Sequence, residues 1–396
     1  MKKFGEIINI SKRKNIQLHL KKPFLLDKLN LIIIFYLFNI YPITNQNSFS
    51  LQIINHSNNL GLNMDSEIII TLTGNIGSNN IIYCYFWPLP DEIFLNDNKI
   101  GEKKCIVNLN NQNETNIKMK WNTKLKSCKS MFYSLSNISH IDFLNFDTSL
   151  VTDMSSMFYN CISLQSLNLN KFNTSLVTSI HYMFYGCKSI KSINLSSFDT
   201  SLVTDMSYMF YGCKSLKLLN LSNFNTSSVK IIKYMFLENH SLESLDISNF
   251  DTSSIIDMSF MFYECKSLKH LDLSSFDTSS VTNMVSMFRG CESLESLNLS
   301  NFNTSSVKNM GGMFKFNYLL KSLDISNFDT SLVTNMAFMF QLCNSLESLN
   351  LSHFNTSLVK DMTAMFEAME SLKYLDISNF DTSSLTCTSH IFAWCH

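Results

Sequence analysis

The chain has 396 residues, of which only 16% are charged, with 10 glycines and 4 prolines, against about 25% charged, 7% Gly and 5% Pro in an ordinary soluble chain. Such sparse turn punctuation argues against a loop-rich enzyme, and 45% hydrophobic residues, including 32 Phe and 21 Met, exclude wholesale disorder. A net charge of −1 provides no general attraction to polyanions, so nucleic acid is not an expected partner.

Charge is nevertheless unevenly spread. Residues 1–50 carry eight cations, from Lys2 to Lys28, and two anions, Glu6 and Asp27, a sum of +6, so the remainder sums to −7. The cations precede an apolar run, Leu31 to Phe38, which is shorter than the roughly 18–20 residues of a spanning helix but suits the core of a secretory signal. Residues 1–48 are therefore read as a signal peptide or an uncleaved signal anchor, the latter being the one expected membrane association. The first cysteine is Cys84, so nothing supports lipid attachment just after the apolar run. Residues 49–130 form a second region. Ser66–Gly74 and Ile81–Trp87 are β-branched and aromatic runs bounded by Gly, Asn and Pro, which predict strands of a small β-rich cap over the first repeat.

From Met131 onward one feature organises the chain. The dipeptide Met-Phe returns every 26 residues, at Met131, Met157 and so on to Met365, and Ile391-Phe392 keeps the interval. Counting Met as position 1, ten complete units fill 131–390, and 391–396 begins an eleventh. Position 16 is Phe in all ten (Phe146 to Phe380), position 18 is Thr and position 19 is Ser. A fixed period of this length is the signature of a solenoid whose units bury their apolar faces only against neighbours. Apolar positions 8, 11, 13 and 16 alternate around their centre as a short strand does, whereas positions 21, 24, 1 and 2 are spaced for one face of a short helix. The expected unit is strand, turn, short helix. Stacking would place a parallel sheet on one face and helices or tight turns on the other, an α/β solenoid. Positions 17 to 19, for example Asp199-Thr200-Ser201, stand where a helix N-cap belongs.

L-x-x-L-x-L with Cys at position 5, Phe at position 16 and Met-Phe-x-x-Cys closing the unit resembles the BspA-like leucine-rich-repeat surface proteins, in their 26-residue branch. The resemblance covers about 260 residues. It implies a leucine-rich-repeat-like fold displayed on the surface of bacteria or protists, used for adhesion and protein contacts and not for catalysis. The chain ends at position 6 of a unit without a polar terminal cap of the kind repeat arrays need. Truncation, or a cap built from the Trp394–Cys395 region, is expected there.

Seven of the eleven cysteines, Cys161 to Cys395, occupy position 5, elsewhere filled by Leu135, Asn239, Asn317 or Met369. Leucine-rich repeats place a small donor at such a turn, so these thiols are expected to stay free and structural. Coils stacked roughly 4.8 Å apart also hold neighbouring thiols too far apart for the Cβ separation of a disulfide. Among the cap cysteines, Cys84 and Cys105 are the first choice for a disulfide, with Cys128 the third candidate. No C-x-x-C, phosphate-binding, nucleophile-elbow or H-E-x-x-H motif occurs, so no enzyme, cofactor or metal site is expected.

Alternation on the strand turns positions 10, 12 and 14 outward, and this face is the candidate partner-binding surface. It is mostly Ser and Asn/Asp, interrupted at position 10 by His140, Leu218, His270 and Tyr374. Position 12 supplies Asp142, Asn220, Asp246, Asp272, Asp324 and Asp376. A row repeated ten times is the opposite of the asymmetric constellation an active site needs. Asp246 and Asp272, in successive units, leave a bridging cation as an alternative to a solvated row. N-x-[ST] triplets such as Asn55, Asn113, Asn137, Asn220, Asn225 and Asn239 are glycan acceptors only in a suitable secretory route. The expected function is adhesion or protein binding, extracellular or at the cell surface, to a protein, cell-surface or matrix ligand. The alternative is a structural coat protein that self-associates through its uniform repeats.

Overall fold

The computed structural model describes residues 66–72, 77–109 and 115–395, which lie within one compact unit, Leu62–His396. The expected signal segment, 1–48, lies outside the described residues. The cap contains β1 (Ser66–Leu72), β2 (Gly77–Asn80), β3 (Glu92–Leu95), β4 (Asn98–Gly101), β5 (Ile106–Leu109) and β6 (Thr115–Trp121). The repeats contribute β7 (Ile138–Phe143), β8 (Ser166–Asn168), β9 (Leu218–Asn220), β10 (Ser244–Asp246), β11 (Ser348–Asn350) and β12 (Tyr374–Asp376).

Cap and repeats share one sheet, in the order β4-β3-β6-β1-β7-β8. Strand β1 is central because it alternates: Ile68 and Ile70 are fully buried between Met119, Ile117 and Ile141, which are buried as well. It pairs antiparallel with β7 of the first repeat, and β7 then pairs parallel with β8. Ile81–Trp87, expected as a strand, is not one. Its backbone groups are spent elsewhere, Ile81 N–H on Cys105 O (2.9 Å), Tyr83 N–H on Met131 O (2.9 Å) and Phe86 N–H on Tyr83 O (2.8 Å). Those bonds make a braced turn instead of a sheet partner. Cys84 and Cys105 are joined by a disulfide.

Successive repeats stack with a 26-residue offset. At position 23, parallel bridges run Ser127, Asp153, Ser179, Asp205, Ile231, and again from Asp257 through Asn283, Asn309, Asn335 and Asp361 to Cys387. Inside the stack lie Met at position 1, Met or Ile at 24, Phe at 2 and 16, and the apolar residues of positions 8, 11, 13 and 21, nearly all under a tenth exposed from Met131 to Phe366. The same positions are buried in successive coils, so each unit contributes to the burial of its neighbours.

No α-helix occurs among the described residues, and the expected repeat helix is replaced by consecutive tight turns. The cause is the sign of φ. Position 26 (Ser130, Tyr182, Tyr208, Phe260 and their equivalents) and position 4 (Ser134, Asn160, Glu238, Glu264 and theirs) are left-handed in all eleven turns, with φ from 51° to 73°. Only Gly186, Gly212, Gly290 and Gly312 among them are glycine. A left-handed residue every fourth position breaks an α-helix, and the backbone bonds differently. The N–H groups of positions 1, 3 and 5 close turns onto the carbonyl three residues back, as Met131 to Cys128 O (3.1 Å) and Tyr133 to Ser130 O (3.1 Å). Those of positions 24, 26, 2 and 4 reach the next coil, as Ser130 N–H to Ser155 O (3.0 Å) and Phe132 N–H to Met157 O (2.8 Å). These inter-coil bonds offset the roughly 1–2 kcal/mol that each left-handed non-glycine residue costs.

Two further rows run along the stack. The position-2 rings form an unbroken offset stack from Phe132 to Phe392, with neighbouring centroids 5.4–5.9 Å apart. Position 16 is buried from Phe146 to Phe354, but among the described residues contacts between successive position-16 rings are those of Phe146–Phe172 and Phe172–Phe198. The threonine of position 18 is not a helix cap. It is buried from Thr148 to Thr356, and its hydroxyl donates to the position-17 carbonyl of the next coil, as Thr278 to Asn303 O (2.9 Å), while accepting that residue's N–H (2.8 Å). The same donated bond joins nine successive pairs of coils, from Thr148–Asn173 to Thr356–Asp381. Local capping falls to position 17, whose side-chain oxygen accepts the position-19 N–H, as Asp277 from Ser279 (2.9 Å). Position-5 thiols are free, and all but the last, Cys395, are buried. Each donates to the position-2 carbonyl of the preceding coil, as Cys291 Sγ to Phe262 O (3.2 Å), a task Asn317 performs with Nδ2 to Phe288 O (3.1 Å).

Candidate functional site

Positions 10–12 of six repeats form short strands that are exposed, buried, then exposed or half-buried in turn, except that the central Leu375 of β12 is only half-buried. They do not form the continuous parallel sheet the repeat suggests. Among the described residues, parallel strand pairs are β7–β8, β9–β10 and β11–β12, which include His140, Leu218 and Tyr374 at position 10, and Ser192 adds a single bridge to Leu218. His270, as large as the others, lies outside any strand. The large residues stand clear of the surface, Leu218 60% and Tyr374 55% exposed, with His140 and His270 exposed as well. One ring nitrogen of His140 shares a hydrogen bond with Ser166 Oγ of the next coil.

Position 12 is partly committed to its own backbone. Oδ1 of Asp246, Asp272, Asp324 and Asp376, and of Asn220, accepts the N–H two residues on, at 2.9–3.2 Å. Those bonds end the strand with a turn and leave only the second oxygen outward. The backbone N–H and hydroxyl of Ser274 hold the Asp272 carboxyl below its ordinary range, and Ser326 and Ser378 do the same for Asp324 and Asp376. Asp142, on β7, is half-buried opposite Ile69 of β1 and thus belongs to the cap junction. Among the described residues, no group of three or more His, Cys, Asp or Glu side chains converges as a metal site. At position 9, unlike charges bond between coils, Lys217 to Glu243 (3.0 Å) and Lys373 to Glu347 (2.9 Å).

Sequence reasoning missed a second surface, on the turns. Tyr133, Tyr159, Tyr185 and Tyr211 at position 3 stack face to face at 4.5, 4.4 and 4.3 Å. Beside them Tyr182, Tyr208, Tyr234 and Phe260 at position 26 stack at 4.6, 4.6 and 5.0 Å. The signal was present as Tyr-Met-Phe-Tyr in three successive units, Tyr182–Tyr185, Tyr208–Tyr211 and Tyr234–Leu237 less its last tyrosine. A helical reading also puts positions 26 and 3, three residues apart, on one side; what it does not give is the stacking of each ring on its copy in the next coil. Beyond Phe260 the row continues with cations over rings, Arg289 5.1 Å from Tyr263 and Lys315 4.7 Å from Phe316.

Residues 104–193, 126–245, 186–296, 233–322 and 316–396 each match the family described as Mycoplasma protein of unknown function, DUF285. The chain belongs to this family. Neither a curated protein nor a solved structure matches it. The five overlapping matches begin in the cap, before β5, and run through all the repeats to residue 396.

Proposed function

We propose that this DUF285 protein is a secreted or surface-displayed adhesive binder, a solenoid of the leucine-rich-repeat type akin to the BspA-like proteins, that holds a protein partner on the face formed by positions 10, 12 and 14. The observation that carries this reading is the exposure of Leu218 and Tyr374 on rigid strands amid small polar neighbours. Interface energy concentrates in a few such bulky anchors surrounded by near-neutral contacts. The cationic and apolar pattern of residues 1–48 supports export, and the Cys84–Cys105 disulfide fits an oxidising compartment. The repeated, symmetric placement of the carboxylates favours a non-catalytic role.

Changing Leu218, His270 and Tyr374 together to Ser restores the majority residue at position 10. Adhesion of the purified protein to cells or matrix should fall at least tenfold, with the melting temperature unchanged. Adhesion that survives this triple change but is lost on altering the tyrosine turns would move the binding face. The near-identity of the units favours a second reading, a self-associating coat protein. Sedimentation showing ordered polymers at micromolar concentration, with no adhesion, would put that reading in its place.

A further inference from the structure

The junction of cap and first repeat contains a cleft of about 210 Å³ lined by Tyr83, Tyr85, Phe86, Trp87, Ser127, Lys129 and Ser130. We propose that this cleft binds a neutral sugar, one or two pyranose rings of a glycan, packed against the Trp87 indole. It is separate from the face assigned above and stands without that assignment.

Trp87 is 70% exposed and Tyr85 62%, unusual for side chains of this size in a structured loop. Their loop is braced on three sides. The Cys84–Cys105 disulfide ties it to the cap. Tyr83 N–H donates to Met131 O (2.9 Å), and its ring sits 5.2 Å from that of Tyr133. The fully buried Trp121 donates its Nε1–H to Pro88 O (2.8 Å), just beyond Trp87. Three anchors on a segment that holds an indole in water give a preorganised platform, which lowers the entropy lost on binding.

The chemistry selects the ligand. An aromatic face takes the apolar C–H face of a pyranose, and hydroxyl and ammonium groups at its edge take the ring hydroxyls. The rest of the lining supplies these groups: Ser127, whose hydroxyl also donates to Asp153 O (3.4 Å) and accepts the Lys129 N–H (3.2 Å), Ser130, and the half-exposed Lys129, whose ammonium is 3.6 Å from the Asp153 carboxylate. That long pair leaves donors available while cancelling net charge, which favours a neutral sugar over an acidic one. The interior turn-side tyrosines, such as Tyr159, Tyr185 and Tyr208, cannot serve in the same way, since both of their ring faces are covered by neighbours at 4.3–4.6 Å. At about 210 Å³ the cleft is smaller than the roughly 300–1,000 Å³ of sites for drug-sized ligands, which suits an occupant of one or two rings. A proline-rich peptide, the other habitual guest of Trp and Tyr, rises about 3.1 Å per residue and needs a groove with successive pockets. Here there is one cleft.

The test uses the full chain and methyl glycosides of glucose, galactose, mannose and N-acetylglucosamine, followed by saturation-transfer NMR and tryptophan fluorescence. At least one glycoside should bind saturably in the millimolar range or tighter. W87A should weaken it at least tenfold and W87F by less, because a smaller ring face remains. Both variants should keep the parent melting temperature and the adhesion ascribed to Leu218 and Tyr374. Binding by none of the glycosides, or binding indifferent to W87A, overturns the proposal. So does Trp87-dependent binding of a hexaproline peptide or a glucuronide in preference to every neutral glycoside.

Discussion

Thr278 offers a direct test of how the coils are joined. Its hydroxyl makes two bonds to one residue of the next coil, donating to Asn303 O and accepting from Asn303 N–H, at 2.9 and 2.8 Å. Thr278→Val keeps the shape and removes both. Each backbone group left without a partner costs about 1–3 kcal/mol, so the substitution should cost about 2–5 kcal/mol. Thr278→Ser keeps both bonds and loses one buried methyl, about 1 kcal/mol. Thr278→Asp separates the two explanations of the threonine row. A helix cap accepts Asp at least as well as Thr, but a buried carboxylate aimed at the Asn303 carbonyl repels it, and this variant should be worse than Val. Urea unfolding with a check of the slope gives the stability change. Because arrays unfold by neighbouring units, amide exchange at Asn303 gives the local value, and at about 1.4 kcal/mol per factor of ten, 2 kcal/mol speeds it roughly 30-fold. An Asp variant with the parent midpoint, or a Val variant within about 0.5 kcal/mol of it, would refute the inter-coil role.

Both Phe276 and Phe262 are buried, and truncation of either to Ala should cost about 3–5 kcal/mol. Phe262 also stacks on Phe236 and Phe288 at 5.7 and 5.6 Å, worth about 0.5–1.5 kcal/mol per ring pair, so F262A should have the lower melting temperature of the two. Burial pushes the Cys291 thiol up to about 12, so the folded chain holds a proton that the unfolded chain releases near pH 9. Its stability contribution is complete below pH 9 and is lost as pH rises from there toward 12. Replacement by Asn, the residue already serving at position 317, should leave neutral-pH stability near the parent value and shift alkaline unfolding upward in a pH-jump titration. At the acid end, burial of Asp147 raises its pKa, but hydrogen bonds from Lys124 and Ser149 outweigh it and hold the carboxyl at about 2. That contribution is present above pH 4 and disappears between pH 4 and 2. Acid unfolding of Lys124→Met should show a weaker pH dependence over that interval, and an identical profile would dismiss the pair.

The period, the inward Phe rows and the thiol as a backbone donor could all be read from the chain, because each depends on a chemical type recurring at one place. Helix against turn could not. Met206, Met209 and Phe210 lie on one side of either, and the deciding quantity is the sign of φ at positions such as Tyr208 and Glu238, which neither residue type announces. The threonine misled for a related reason, since a cap and an inter-coil bond ask for the same hydroxyl. On the outward face, strand alternation located Leu218 and Tyr374, but not the turn that engages one oxygen of Asp272. That depends on Ser274 N–H pointing back. The cap loop at Ile81–Trp87 reads as a strand by composition, and only its bonds to Cys105 and Met131 show why it is not.

The recurrent backbone bonds of the turns join residues 25 apart from joint to joint, the position-23 bridges residues 26 apart, and the thiol bond residues 29 apart. Any unit can therefore sit beside any other and keep this recurrent set of bonds. Duplication or loss of a whole 26-residue segment by recombination within the gene should pass through folding unnoticed and change the reach of the array by about 4.8 Å each time. A one-residue insertion has no such licence, because it would displace the left-handed positions, the threonine bond and the thiol slot of its coil together. Length is thus the property this architecture leaves free to vary between close kin, while the spacing within a unit is held fixed.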